Sequence, residues 1–282
     1  MNIENIDLKK MASFGIAGNF AGHLEQAGEA ENFTNFQTAK NAPKTIFPTY
    51  IPFKNKAIPQ FLSDFPFSSE KIEFPKNEKN LQIEPECALI CKLEYKEKKI
   101  ATINPLYFGA SNDCSIRKEG KVFISTKKNW GKNSKGFSCQ LIKIDRFEEG
   151  GILDDYRIAS FLQRNNELFE YGEDCAVKTY SYFYKKLIDW CIEKFNTQKE
   201  NVLEENILSY LENANFPEYI MLSVGATRYT DFGMNNYLMA NDTAIIILYP
   251  QSKYDKKSIL EMIKNNDFQK NDISVLKQKV IL

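Results

Sequence analysis

Ile83-Glu84-Pro85-Glu86-Cys87-Ala88-Leu89-Ile90-Cys91 is the stretch on which the fold turns. It reads as a strand that runs on to Tyr95. Side chains alternate across a strand, so Glu84, Glu86, Ala88 and Ile90 share one face. Ile83, Cys87, Leu89 and Cys91 take the other. Both faces are apolar beyond the acids, which predicts a buried strand. Two neighbouring carboxylates in such a place repel each other and lose hydration. A positive charge must compensate, and a divalent cation with oxygen ligands is the simple answer. The alternative is a solvated glutamate pair at a strand end, and Pro85 allows an edge or bulge there.

Outward from this strand, Lys96 to Lys99 reads as a polar turn and Ile100 to Ala110 as the returning strand. The segment Phe108-Gly-Ala-Ser-Asn-Asp113-Cys-Ser-Ile-Arg117 follows. Asp113 is either a turn former or a third acid. Three carboxylates from two successive strands would suit Mg²⁺, which keeps positions for water and substrate. Val122–Ser125 and Cys139–Ile144 look like further strands, and 155–171 like a strand pair turning at Asn165-Asn166. Val177, Tyr180, Tyr184, Leu187, Ile188, Cys191 and Phe195 fall at helical spacing and predict a helix over 176–195. Helices are also expected over about 202–212 and 256–265, and strands over 218–225, 243–249 and 273–281. Residues 13–30 read as a strand feeding a helical turn. Prolines at 43, 48, 52, 59, 66 and 75 exclude continuous helix over 31–82. Strands and helices are segregated, so the class is α+β.

The 282 residues carry 37 Lys plus Arg against 37 Asp plus Glu, a formal charge of zero. That balance argues against nucleic-acid binding, which uses a basic surface. Hydrophobic residues at 43% and charged residues at 26% describe a globular chain. The length suits one domain over 13–282 behind an N-terminal segment, 1–12. MNIENIDLKK shows no apolar core of a signal peptide, and no apolar run is long enough to span a bilayer, so a cytoplasmic protein without membrane partners is expected. The six cysteines form no C-x-x-C pair and are expected to be reduced. There is one histidine, His23, which excludes multi-histidine metal sites. Any proton transfer by an imidazole must use it. It lies between glycines, in Gly18-Asn19-Phe20-Ala21-Gly22-His23-Leu24-Glu25, where close approach of a ligand is possible. Gly225-Ala226-Thr227-Arg228-Tyr229-Thr230 follows a buried strand and either presents donors to an anion or is a plain loop.

Taken in order, these segments resemble the fumarylacetoacetate hydrolase superfamily. Gly18 to His23 is similar to its G-x-N-Y-x-x-H segment, and Glu84-Pro85-Glu86-Cys87-Ala88-Leu89-Ile90 to E-x-E-L-A-x-V-I. Asn112-Asp113-Cys114-Ser115-Ile116-Arg117-Lys118 resembles N-D-x-S-x-R-D, and Trp130 to Phe137, around Lys132, resembles the W-x-x-x-K-S-x-D-x-F stretch. Val224-Gly225-Ala226-Thr227 approximates the strand ending in G-T-P. The resemblance spans roughly residues 13–250. It implies a mixed β-sandwich roll with a few peripheral helices, usually a homodimer. It implies that Glu84, Glu86 and Asp113 bind Mg²⁺, or Mn²⁺ or Ca²⁺, and that the metal chelates a small oxo acid or diketone. His23 would activate water, Lys132 would stabilise enolate charge, and Arg117, Thr227 and Gly225 would touch substrate or orient the acids. The implied activity is a Mg²⁺-dependent hydrolase or decarboxylase that breaks a C–C bond in a β-diketo or oxo acid. A hydratase or isomerase, or a non-catalytic metabolite binder, are the alternatives. Many relatives place a Glu three residues after the His. Here that position is Gln26, and Glu25 or Glu29 is left to replace it.

Overall fold

Two hairpins set the framework. In the first, the strand Pro85–Lys96 pairs antiparallel with Lys99–Asn112. Its two turn residues, Glu97 and Lys98, both lie in the left-handed region (φ 51° and 63°), as a tight two-residue hairpin turn requires. In the second, Tyr156–Arg164 pairs with Glu167–Ala176 across Asn165 and Asn166 (φ 51° and 67°), a residue type that tolerates this backbone. The computed structural model from which these features are taken describes residues 2–3, 6–33, 38–39, 41–53, 56–118 and 123–282.

Each hairpin anchors a sheet. The larger has eight strands, in the order Thr45–Tyr50, Ala12–Ala17, Tyr219–Ser223, Pro85–Lys96, Lys99–Asn112, Lys135–Phe137 and Phe67–Ser68, with Ile142–Lys143 also paired to Lys99–Asn112. Ala12–Ala17 runs parallel to Tyr219–Ser223, so the sheet is mixed. Pro48 sits on the outermost strand, where a missing N–H does no harm. The second sheet has five strands, Glu167–Ala176, Tyr156–Arg164, Thr243–Pro250, Ser274–Ile281 and Lys71–Glu73. Phe14, Leu89 and Phe108 from the first sheet and Ile158, Ile246 and Leu276 from the second belong to one buried core. The helix Tyr184–Thr197 adds Leu187, Cys191 and Phe195 to it. The helix Lys256–Asn265 covers the other face of the five-stranded sheet through Ile259, Met262 and Ile263. This is the expected α+β sandwich with peripheral helices. Among the described residues, no helix is long and apolar enough to cross a membrane.

Several element boundaries differ from the sequence reading. The helix expected from 176 starts at Tyr184, after a short turn at Val177–Thr179. Asn19 is the reason: its carbonyl accepts from Ser181 N (2.9 Å) and its Oδ1 from Tyr182 N (2.9 Å), so these amides are not available to a helix. Val122 lies outside the described residues, and Ser125–Lys128 forms a helical turn rather than the end of a strand. Of 139–144 only Ile142–Lys143 pairs as strand. The helix expected from 202 starts at Ile207, capped by Asn206. Leu8 and Met11, in the N-terminal segment set apart from the domain, pack beside Ala88 and Ile90.

Candidate active site

Hairpin register brings the acids together. Pro85 lies opposite Asn112 and Glu86 opposite Ser111. Beyond these pairs the Asp113 amide donates to the Glu84 carbonyl (3.0 Å), and Asn112 Oδ1 accepts from the Glu84 amide (3.1 Å). Glu84, Glu86 and Asp113 are all buried, and one oxygen from each lies within 4.8 Å of the others. Glu86 Oε2 also accepts from the Gly225 amide (3.0 Å), which is aimed inward by a left-handed backbone (φ 117°).

Four cations surround them. Arg117 bonds Glu84 Oε1 (2.7 Å) and Glu29 Oε1 (3.0 Å), and donates to Gln82 (2.6 Å) and Tyr229 (2.9 Å). Lys128 Nζ sits between Glu84 Oε2, in a short contact, and Asp113 Oδ2 (2.8 Å). Lys135 Nζ bonds Asp113 Oδ1 (2.7 Å) and the Cys114 carbonyl (2.7 Å), and Lys127 Nζ bonds Glu29 (2.7 Å). Both oxygens of Glu84 and of Asp113 therefore face a cation. Burial pushes the Glu84 carboxyl up, but Lys128 and then Arg117 outweigh it and hold the group well below its ordinary value. Burial, then the Asp113 charge, pushes Glu86 well up.

His23 opens the helical turn His23–Gln26 and is 5% exposed. Its Nδ1 lies 2.9 Å from the Thr227 carbonyl, which can only accept. Nδ1 thus carries the proton, and Nε2 of the neutral ring is left as a lone pair. Burial lowers its pKa and favours that neutral form. His23, Glu29, Glu84, Glu86 and Lys128 line a common pocket of about 20 Å³, walled by Leu24, Phe47 and Ile124.

The structure brings together His23, Arg117, Gly225, Glu84, Glu86 and Asp113. Thr227 takes part through its backbone carbonyl. Lys132 and Glu25 do not join them: both are exposed. Lys135, three residues further on, and Lys128 stand where Lys132 was expected. A signal for Lys135 was present in Gly136, since a strand glycine marks close approach. A Cβ there would lie 2.3 Å from Gln278 Oε1. Lys127 and Lys128 carry no such signal. Glu29, rather than Glu25, is the acid beside His23. The turn after the short helix closes with the Glu29 amide on the Leu24 carbonyl (2.9 Å) and Gly28 in the left-handed region (φ 68°). That closure carries Glu29 back over the site, while Gln26 bonds the Tyr229 backbone in both directions.

Beneath the lysine turn, Ser125 Oγ donates to Glu205 Oε1 (2.8 Å). Burial pushes the Glu205 carboxyl up to about 7. Its folded value lies above its unfolded one, so between them the unfolded chain binds fewer protons and stability falls as pH rises. Glu205→Gln is expected to exceed the unaltered protein by about 1–3 kcal/mol at pH 8 and to lose that advantage by pH 5. Urea midpoints of both proteins across this range would show it, and parallel curves would count against it.

A family model described as "Family of unknown function (DUF5718)" matches residues 29–280. No curated protein matches the chain. Among solved structures, the chain is similar to a 2-keto-3-deoxy-D-arabinonate dehydratase complexed with magnesium and 2,5-dioxopentanoate (14% identity, TM-score 0.55, covering 96% of this chain and 72% of that one). It is also similar to a protein assigned as a fumarylacetoacetate isomerase/hydrolase from Oleispira antarctica (13%, TM-score 0.54, 96% and 93%). A third is assigned as a fumarylacetoacetate hydrolase family protein from Yersinia pestis CO92 (12%, TM-score 0.53, 96% and 93%). At these identities the likeness is one of fold.

The expected metal can be tested against the residues present. Three carboxylate oxygens within 4.8 Å are the right donors for a hard divalent ion. Charge and space are not right. Glu29, Glu84 and Asp113 already face Arg117, Lys127, Lys128 and Lys135, three carboxylates against four cations, while Glu86 is held by the Gly225 amide. The Lys128 ammonium bridges two of the three acids. Even with Glu86 ionised, a divalent ion added to this arrangement would leave an excess of two positive charges beside an ammonium, so the group does not fit while Lys128 stays in place.

Proposed function

Because the chain belongs to the family of unknown function DUF5718 and has the fumarylacetoacetate hydrolase fold, we propose that it is an enzyme acting on a small oxo acid through an enolate. The observation that supports this is His23 Nε2, a neutral base held in the same pocket as the buried carboxylate–lysine cluster. Removing a proton, carboxylate or acyl group beside a carbonyl leaves negative charge on the carbonyl oxygen. Lys128, the only cation among the described residues lining that pocket, would face this charge at short range. His23 would take a proton from water or from the substrate carbon, and the Thr227 carbonyl would hold the resulting imidazolium in place. Glu29 would be held ionised by Arg117 and Lys127, near His23.

C–C hydrolysis or decarboxylation is our first reading, and hydration or isomerisation the runner-up. The Mg²⁺ dependence implied by the resemblance would require Lys128 to leave the triad. A non-catalytic metabolite binder is favoured by one specific observation. Lys128 already donates to Glu84 Oε2 and to the Asp113 carbonyl (3.2 Å) and forms an ion pair with Asp113 Oδ2, so its charge is already engaged by the protein's own acids.

Purified protein should be assayed with acylpyruvates, oxaloacetate and 2-keto-3-deoxy sugar acids, in EDTA and in Mg²⁺, with products read by NMR. Loss of the carbon skeleton marks a hydrolase or decarboxylase; its retention marks a hydratase or isomerase. Binding of an oxo acid without any turnover would replace the enzyme reading with the metabolite-binding one.

A further inference from the structure

We infer that Lys128 is a built-in replacement for the divalent ion, a tethered ammonium that occupies the cation position of the Glu84–Glu86–Asp113 triad. Geometry carries the inference. Its Nζ is in contact with Glu84 Oε2 and lies 2.8 Å from Asp113 Oδ2, so it bridges the acids that flank the adjoining ends of the two hairpin strands. A metal ion joining the same two strands would have to sit between the same oxygens.

Charge carries it independently. Every carboxylate oxygen of Glu84 and Asp113 already faces a side-chain cation, Arg117 and Lys128 for the first and Lys128 and Lys135 for the second. Lys127, adjacent on the same helical turn, pairs with Glu29 outside the triad, so Lys128 is the one member of that turn that reaches the triad acids. An ammonium differs from a metal in one respect that bears on binding: it is covalently held, so neither a chelator nor dilution can remove it. The site is thereby independent of metal supply.

The inference concerns only which cation the acids hold, and it is tested without substrate, so it stands or falls separately from the oxo-acid reading. The probe is Mn²⁺ alone, followed by electron paramagnetic resonance of the free ion on the intact protein. The unaltered protein should leave the free-ion signal unchanged up to millimolar Mn²⁺, and its melting temperature should not respond to Mg²⁺ or EDTA. Lys128→Ala should take up one equivalent of Mn²⁺ with an affinity about 100- to 1,000-fold higher, the effect of removing a like charge at about 4 Å from a partly screened site. Adding Asp113→Asn to that variant should abolish the uptake. If Lys128→Ala does not fold, Lys128→Met, which keeps an unbranched apolar stem of similar length, gives the same reading. Stoichiometric Mn²⁺ binding by the unaltered protein, lost in Asp113→Asn, would overturn the inference. So would a folded Lys128 variant that binds no better than its parent.

Discussion

Asp113→Ala should lower the unfolding free energy by about 3–5 kcal/mol, the expected effect of stripping the partner from buried charges. Asp113 is 2% exposed and is shared by two lysines, through Oδ1 to Lys135 and Oδ2 to Lys128. Without it, Lys135 keeps a single carbonyl partner and the two ammonium groups face each other across an emptied space. Burial already pulls the Lys135 pKa down, so this lysine depends on its acid to stay charged. Urea denaturation measures the loss as a lower midpoint at unchanged slope. A double variant that also carries Lys135→Met should recover part of the loss, because one unpaired cation is then gone. A loss under about 1 kcal/mol would mean that the lysines are not paired with this acid, since only exposed ion pairs contribute so little.

His23→Asn should reduce kcat about 10²- to 10⁴-fold on whichever oxo acid proves to be turned over, the usual contribution of a positioned proton-transfer group. Asparagine can still donate to the Thr227 carbonyl, so the loop should hold and the fold should survive. What disappears is the lone pair on Nε2. The pH profile gives a second reading. A ring kept neutral by burial should act as a base below the ordinary histidine range, so the acid limb of kcat/KM in the unaltered protein should fall below pH ~6.5. Full activity in the variant would remove His23 from the chemistry.

Much of this was legible in the chain itself. Alternation in 83–91 placed Glu84 and Glu86 on one face. The polar turns at 96–99 and 165–166 became the two hairpin turns, because asparagine and short polar pairs report on backbone that local sterics decide. Asp113 was legible because it follows directly on a strand whose partner was already identified. Lys128 was not, since nothing local distinguishes a buried lysine from a solvated one when the reason for burial lies in acids far away in the chain. Glu29 was legible only as one of two alternatives with Glu25, because its position depends on a left-handed glycine closing a four-residue helix, which counting residues from His23 does not show. The helix start at 184 failed for a related reason: Asn19, more than 160 residues away, claims the amides that the periodicity had assigned to the helix.

The turn Ser125–Lys128 is only four residues long, yet it holds half of the positive charge that lets the acids coexist. Displacing that one piece of chain would withdraw both ammonium groups in a single event. The neighbouring carboxylates would then have to bind protons or a solute cation together. The electrostatic state of the whole pocket is in this sense indivisible, governed by a single hinge-sized segment rather than by each side chain on its own.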